Sequence, residues 1–177
     1  WSRDSTGKKA YTALFASDVT GSHKAELVLE SASTIQIVTL AGQLVEEIPL
    51  MSGEQIGLLY DLDRDGKTDI FLDAPSGPAS VLRVVNGKGH TVEQVSLAEK
   101  GSGFFSSRIE SAIDPNTAGA IFLILQTNAE TSKRGYMKFS LPDLKKQWFF
   151  NTPFTPIQLF PSDRDSAFTE NTETSSR

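Results

Sequence analysis

The chain contains no cysteine and only two histidines, His23 and His90. The first absence excludes disulfides, thiolate nucleophiles and Cys-based zinc sites. The second leaves too few imidazoles for a multi-histidine metal centre. An excess of positive charge is also missing: 17 Lys+Arg against 22 Asp+Glu give a net charge of −5, which argues against a nucleic-acid partner. The longest apolar run, Ile121-Phe122-Leu123-Ile124-Leu125, is too short to cross a bilayer, so no membrane insertion by this segment is expected. Helical periodicity is absent as well. Leu141 to Trp148 comes nearest to a helix, and Pro142 lies inside it, so Pro142-Asp143 reads as a turn. The chain begins at Trp1 without methionine. The expectation is a processed product or an excised piece, tethered or exported through segments since removed.

What is present is a chain of 177 residues, 38% hydrophobic and 22% charged, long enough to bury one real core. Short runs rich in Val, Ile, Leu, Phe and Thr alternate with Gly, Pro, Asn, Asp and Ser clusters, which predicts strands throughout. Glu26 to Glu30, Thr34 to Leu40, Asp69 to Asp73 and Ser80 to Val85 are the clearest. The pattern also repeats. Ser17 to Leu29 resembles Tyr60 to Leu72 at an offset of 43 positions, with Asp18 matching Asp61. A looser third copy starts at Ile113-Asp114-Pro115-Asn116, 53 positions after the second, and runs into Ala120 to Leu125. A fourth begins at Ile157-Gln158-Leu159-Phe160, followed by Asp163 and Asp165. Tight turns at Ala41-Gly42, Asn86-Gly87 and Pro142-Asp143 punctuate the units, with Asn86-Gly87 expected as a type I′ hairpin turn.

Each unit thus reads as strand, acidic loop, strand, link, strand, hairpin, strand. Four strands per roughly 40–50 residues is the spacing of a propeller blade. The expected fold is all-β, a β-propeller-type repeat of four-stranded blades. Units are placed at about residues 10–52, 53–103, 104–153 and 154–170, with a flexible tail at 171–177. Three complete units and part of a fourth fit either a fragment of a larger propeller or a four-bladed ring with an irregular last blade. A four-stranded sheet cannot cover both its faces alone, so blades must pack on one another and inner strands should lose their alternation.

The most specific motif is Asp61-Leu62-Asp63-Arg64-Asp65-Gly66-Lys67-Thr68-Asp69. Hard cations such as Ca2+ take six to eight oxygen ligands. Asp61, Asp63 and Asp65 can turn inward together, Gly66 permits the sharp turn, the Lys67 carbonyl adds an oxygen and Asp69 closes the shell. Without an ion the carboxylates would repel and raise one another's pKa. The alternative is a solvated acidic hairpin. An EF-hand would need a glutamate at the twelfth position, where Leu72 stands, and a helix on each side.

The nine-residue loop between two strands resembles the calcium loop of FG-GAP and VCBS repeats, the blades of integrin-like propellers. The likeness covers units from about Ala10 to Phe160, and its motif is complete in the second. In the first unit the matching positions are Asp18, Thr20, Ser22, His23 and Glu26. In the third they are Asp114, Asn116 and Gly119, without a closing acid. Of these, Asp18, Thr20, Ser22, Glu26, Asp114 and Asn116 are the weaker metal candidates. The resemblance implies an extracytoplasmic module, periplasmic, cell-surface or secreted, in which ions hold loops in place and do no chemistry. A site with a dissociation constant of about 10⁻⁴–10⁻³ M would be nearly empty at cytosolic calcium, which agrees.

Other chemistry has little support. No G-x-S-x-G elbow is present, Gly21-Ser22-His23 sets serine and histidine side by side on a loop, and Gly101-Ser102-Gly103 lacks the residues of a phosphate loop. Nothing in the spacing of Glu26, Glu30, Glu46 or Glu47 singles out a glycosidase pair; Glu46-Glu47 reads as a charged strand edge. Phe104-Phe105, Trp148-Phe149-Phe150 and Phe154 read as packing between units or as a rim that could stack on sugars or a protein. The expected role is a non-catalytic binding or sensing module of the receptor or surface-protein ectodomain type, for a protein or carbohydrate ligand. The rivals are a propeller of a secreted polysaccharide-degrading enzyme and a structural repeat in a large assembly.

Overall fold

A computed structural model describes residues 10–74, 81–97, 106–112, 120–126, 135–151, 159–161 and 168–170. Every regular element among them is a strand. The first antiparallel sheet contains β1 (Tyr11–Ser17), β2 (Glu26–Ser31), β3 (Thr34–Val38) and β4 (Leu44–Pro49) in sequence order. The second contains β5 (Gln55–Tyr60), β6 (Asp69–Asp73), β7 (Val81–Val85) and β8 (Thr91–Ser96), again in order. The third repeats this with β9 (Ser106–Ala112), β10 (Ala120–Gln126), β11 (Gly135–Ser140) and β12 (Lys146–Asn151). A two-stranded piece, β13 (Leu159–Pro161) with β14 (Phe168–Glu170), follows. The all-β class and the four-strand meander expected of each unit are therefore present three times.

The first two sheets pack face to face. Val28, Ile35, Ile37 and Ile48 of the first sheet form one core with Ile56, Ile70, Leu72 and Val85 of the second. The opposite face of the second sheet, with Phe71, Leu82 and Val84, forms another core with Ile109, Met137 and Phe139 of the third. Side chains alternate along a strand, so β6 sends Ile70 and Leu72 one way and Phe71 the other. All five of its residues are buried. This is the loss of alternation expected of a strand covered on both sides, and it explains the run DIFLD.

Two buried carboxylates join the units. Glu30, at the end of β2, accepts the backbone N–H of Ile56 in β5 at 2.5 Å and the Thr12 hydroxyl at 2.7 Å. Asp73, at the end of β6, accepts the N–H of Ile109 in β9 at 2.7 Å. Glu30 and Asp73 are 43 positions apart, so the same device recurs at both junctions. The link between the first two units is pinned by a buried ion pair: the Arg83 guanidinium donates through Nε and Nη2 to Glu54, with both side chains at least 91% covered.

The hairpins differ in detail from expectation. Asn86-Gly87 does not form a two-residue type I′ turn. Asn86 and His90 flank the turn, Asn86 N–H donates to the His90 carbonyl, and the positive φ falls on Gly89. The Asn86 side chain accepts the N–H groups of Lys88 and His90, which stabilises this wider loop. Thr39 to Gln43 closes the same way, with Gly42 at φ 84°. Both are three-residue loops ending in a left-handed glycine. Gly87 serves close approach instead: a Cβ there would lie 2.1 Å from the Val19 carbonyl oxygen. Pro142-Asp143 is a turn, as read, after a cis Leu141–Pro142 bond.

Candidate metal centre

The acidic loop leaves β5 at Asp61 and returns to β6 at Asp69. Leu62 anchors it by entering the core shared with the third sheet. Arg64 and Gly66 take positive φ values of 62° and 85°, and this winds the loop tightly enough for its carboxylates to turn inward. Asp61 accepts the N–H of Asp65 at 3.1 Å and of Gly66 at 3.0 Å. Asp63 accepts the Asp65 N–H at 3.1 Å, and Asp65 accepts the Lys67 N–H at 2.8 Å. One oxygen from each of Asp61, Asp63 and Asp65 lies within 4.8 Å of the others. All three donors are hard oxygens, the type a calcium ion takes. Gly66 faces open space, so its role is conformational and not steric.

Lys67 and Asp69 stand differently. The Lys67 ammonium pairs with Asp65, which holds the Asp65 carboxyl below its ordinary range and raises the lysine. Asp69 is outside the converging trio. It is 96% covered, and one oxygen accepts the Leu62 N–H at 3.1 Å. Burial, opposed by that bond and reinforced by Asp63, Asp65 and Asp61, pushes its pKa up to about 6. Asp69 is thus a carboxylate whose charge is poorly compensated by protein groups alone.

The loop of the first unit has the same frame and a different chemistry. Gly21 and His23 hold positive φ at the positions of Arg64 and Gly66. Asp18 accepts the N–H groups of Gly21, Ser22 and His23 at 2.7, 3.0 and 2.8 Å. Glu26 accepts the Val19 N–H at 3.1 Å, as Asp69 does from Leu62. Thr20 and Ser22, which stand where Asp63 and Asp65 stand, donate their hydroxyls to Glu26 at 2.8 and 2.7 Å. The closing acid therefore has its oxygens satisfied by hydrogen bonds within the loop. The Ser22 hydroxyl goes to Glu26 and the Lys24 carbonyl, and makes no pair with His23. Asp114, Asn116, Asp163 and Asp165 lie outside the described residues, as do Phe104, Phe105 and Phe154.

The two loops touch. Thr68 N–H donates to the Asp18 carbonyl at 2.8 Å, and the hydroxyls of Ser17 and Thr68 are 2.7 Å apart. The aliphatic stem of Lys67 lies over Gly21, where a Cβ would come within 2.6 Å of it. Motif spacing does not single out the inter-unit carboxylates Glu30 and Asp73 as structural residues. The signal for them is an acid near the end of the apolar second strand in the first two units, 43 positions apart. Comparison with protein-family models, with curated proteins and with solved structures gives no match for this chain. Among the described residues no helix is long and apolar enough to cross a membrane.

Proposed function

We propose that the chain is a calcium-stabilised, propeller-type repeat module of the FG-GAP/VCBS kind, working outside the cytoplasm as a non-catalytic binding or sensing domain for a protein or carbohydrate ligand. The observation that carries this reading is the convergence of Asp61, Asp63 and Asp65 in the loop joining the first two strands of the second unit. The sister loop strengthens it: hydroxyls at the two positions of Asp63 and Asp65 donate to Glu26 there, while carboxylates at those positions can donate nothing to Asp69. Asp61, Asp63, Asp65 and the Lys67 carbonyl would hold the ion, with Asp69 closing the shell directly or through water. The ion would supply charge compensation and loop order. Thr20, Ser22, Asp18 and Glu26 of the first unit serve as a self-satisfied counterpart.

With a dissociation constant of about 10⁻⁴–10⁻³ M, calcium at about 1 mM adds roughly 0.4–1.4 kcal/mol of stability by mass action. The test is a thermal melt with calcium and with chelator. The wild-type midpoint should rise with calcium, and Asp63→Ala with Asp65→Ala should abolish the rise. Superimposable wild-type melts, with no heat on calorimetric titration up to 10-fold above that range, would remove the reading.

A further inference from the structure

Among the described residues the first sheet leaves one face open. Leu14, Leu27, Leu29, Val38 and Leu44 lie on the face opposite the core, where the register sets Leu14 against Leu29 and links Leu27, Val38 and Leu44 across β2, β3 and β4. Leu14 is 63% exposed and Leu44 56% exposed. Leu27 and Leu29 match Ile70 and Leu72 at the repeat offset. Those two residues are fully covered, because the first sheet packs over them. Contiguous exposed apolar surface marks interaction sites, where singly scattered apolar residues do not.

The loop end of the same sheet gives a second, separate observation. In the second unit the space between Lys67-Thr68 and the Asn86–His90 hairpin receives the loop of the unit before it. Gly21 lies under Lys67, the Asp18 carbonyl meets Thr68 N–H, and the Val19 carbonyl meets Gly87. In the first unit the corresponding residues, Lys24, Ala25 and the Thr39–Gln43 turn, line a cavity of about 540 Å³. Strip and cavity together have the arrangement that the second unit uses to receive the first.

We propose that this face and cavity form the seat for a further four-stranded unit of the same repeat design, joined ahead of β1 and entering the cavity with its first loop. Both existing junctions define what that unit carries. It presents an Ile/Val-rich face like Val28, Ile35, Ile37 and Ile48, and it ends its second strand in a buried acid that accepts an N–H from β1, as Glu30 and Asp73 do for β5 and β9. One difference shapes the fit. Leu40 stands in its turn where Gly87 stands in the other, so the incoming loop sits farther out than the Val19 carbonyl sits on Gly87. The inference depends on packing alone and is independent of the metal reading.

Because the chain has no cysteine, Leu14→Cys gives a single thiol on the seat. The experiment compares its maleimide labelling rate in the unfused chain and in a fusion carrying a second copy of residues 10–52 directly ahead of residue 10, with Leu40→Gly in the receiving unit. Labelling should slow at least 10-fold in the fusion, and Glu30→Ala in the added unit should restore most of the rate. Equal rates, with circular dichroism showing the added unit folded as β, would overturn the proposal. Slower labelling of the unfused chain as its own concentration rises would give the seat to a second copy and overturn the choice of occupant. Should the fusion not fold, the unfused chain still decides. It should bind anilinonaphthalene sulfonate, and Leu14→Asp with Leu44→Asp should abolish binding without lowering the melting midpoint. No binding, or a midpoint loss, would overturn the open seat.

Discussion

Asp69 is the residue at which the charge of the acidic loop is hardest to accommodate. Its pKa is raised from 3.8 to about 6, chiefly by burial. The folded chain therefore holds this proton more tightly than the unfolded chain does. A raised carboxyl pKa means stability that is present at low pH and lost as pH rises from about 4 to 6, then constant above that. In calcium-free buffer, Asp69→Asn should show a smaller drop in melting midpoint between pH 4 and pH 6.5 than wild type. With calcium present the wild-type drop should shrink, since an ion favours the ionised form. Identical drops in wild type and variant would show that Asp69 does not titrate in this window. His23 shows the opposite adjustment at the same scale. It takes a left-handed φ of 59° where the second loop uses Gly66, and the Asp18 carboxylate receives its N–H at 2.8 Å, so a local hydrogen bond offsets a conformation disfavoured for side chains.

At the scale of strands and loops, the two junction acids repay mutation. Glu30 and Asp73 are 6% and 1% exposed, and each takes a backbone N–H from the next unit. Removing either acceptor leaves a buried donor unsatisfied, which costs about 1–3 kcal/mol. Glu30→Ala and Asp73→Ala should each lower unfolding free energy by about that amount in urea titrations, with the loss nearly additive because the sites lie in different junctions. A loss under about 0.3 kcal/mol for both would mean that water replaces the carboxylates. Much at this scale was legible beforehand. The offset between Asp18 and Asp61 is also the offset between Glu30 and Asp73, and between the paired positive-φ positions of the two loops. Strand ends fell within a residue or two because turn residues bound the apolar runs. The Asn86-Gly87 turn departs from the two-residue type for a physical reason. The Asn-Gly pair is a strong signal for a two-residue turn, yet here Gly89 supplies the left-handed residue and Gly87 is kept for contact with Val19. Local propensity cannot reveal a glycine required by a neighbour 68 positions away.

For the molecule as a whole, the second sheet is the common member of both cores. Phe71 is fully covered, lies edge-on to Tyr60 at 6.4 Å between ring centroids, and packs against the third unit. Phe71→Ala should cost about 3–5 kcal/mol. The loss should appear in fluorescence from Trp148, which lies in the third sheet, as well as in circular dichroism of the whole chain. A circular-dichroism midpoint that moves while the Trp148 midpoint stays would mean that the units unfold separately. The stacking of units was readable from repetition and from the unalternating run of β6. The converging trio was readable from the aspartate spacing. What spacing alone leaves hidden is that Asp69 lies outside the trio and is buried along with the rest of β6, since burial depends on packing between sheets.

The junction acids also bear on how such a chain can change length. Each sits at a fixed place in its strand and faces a fixed place in the next unit. Gain or loss of a whole unit leaves every surviving joint with the same partners. A single residue gained inside β2 or β6 would exchange their two faces, turning Glu30 or Asp73 away from its N–H and turning half the core outward. A whole unit added at one end should therefore cost less stability than one residue added inside β2 or β6.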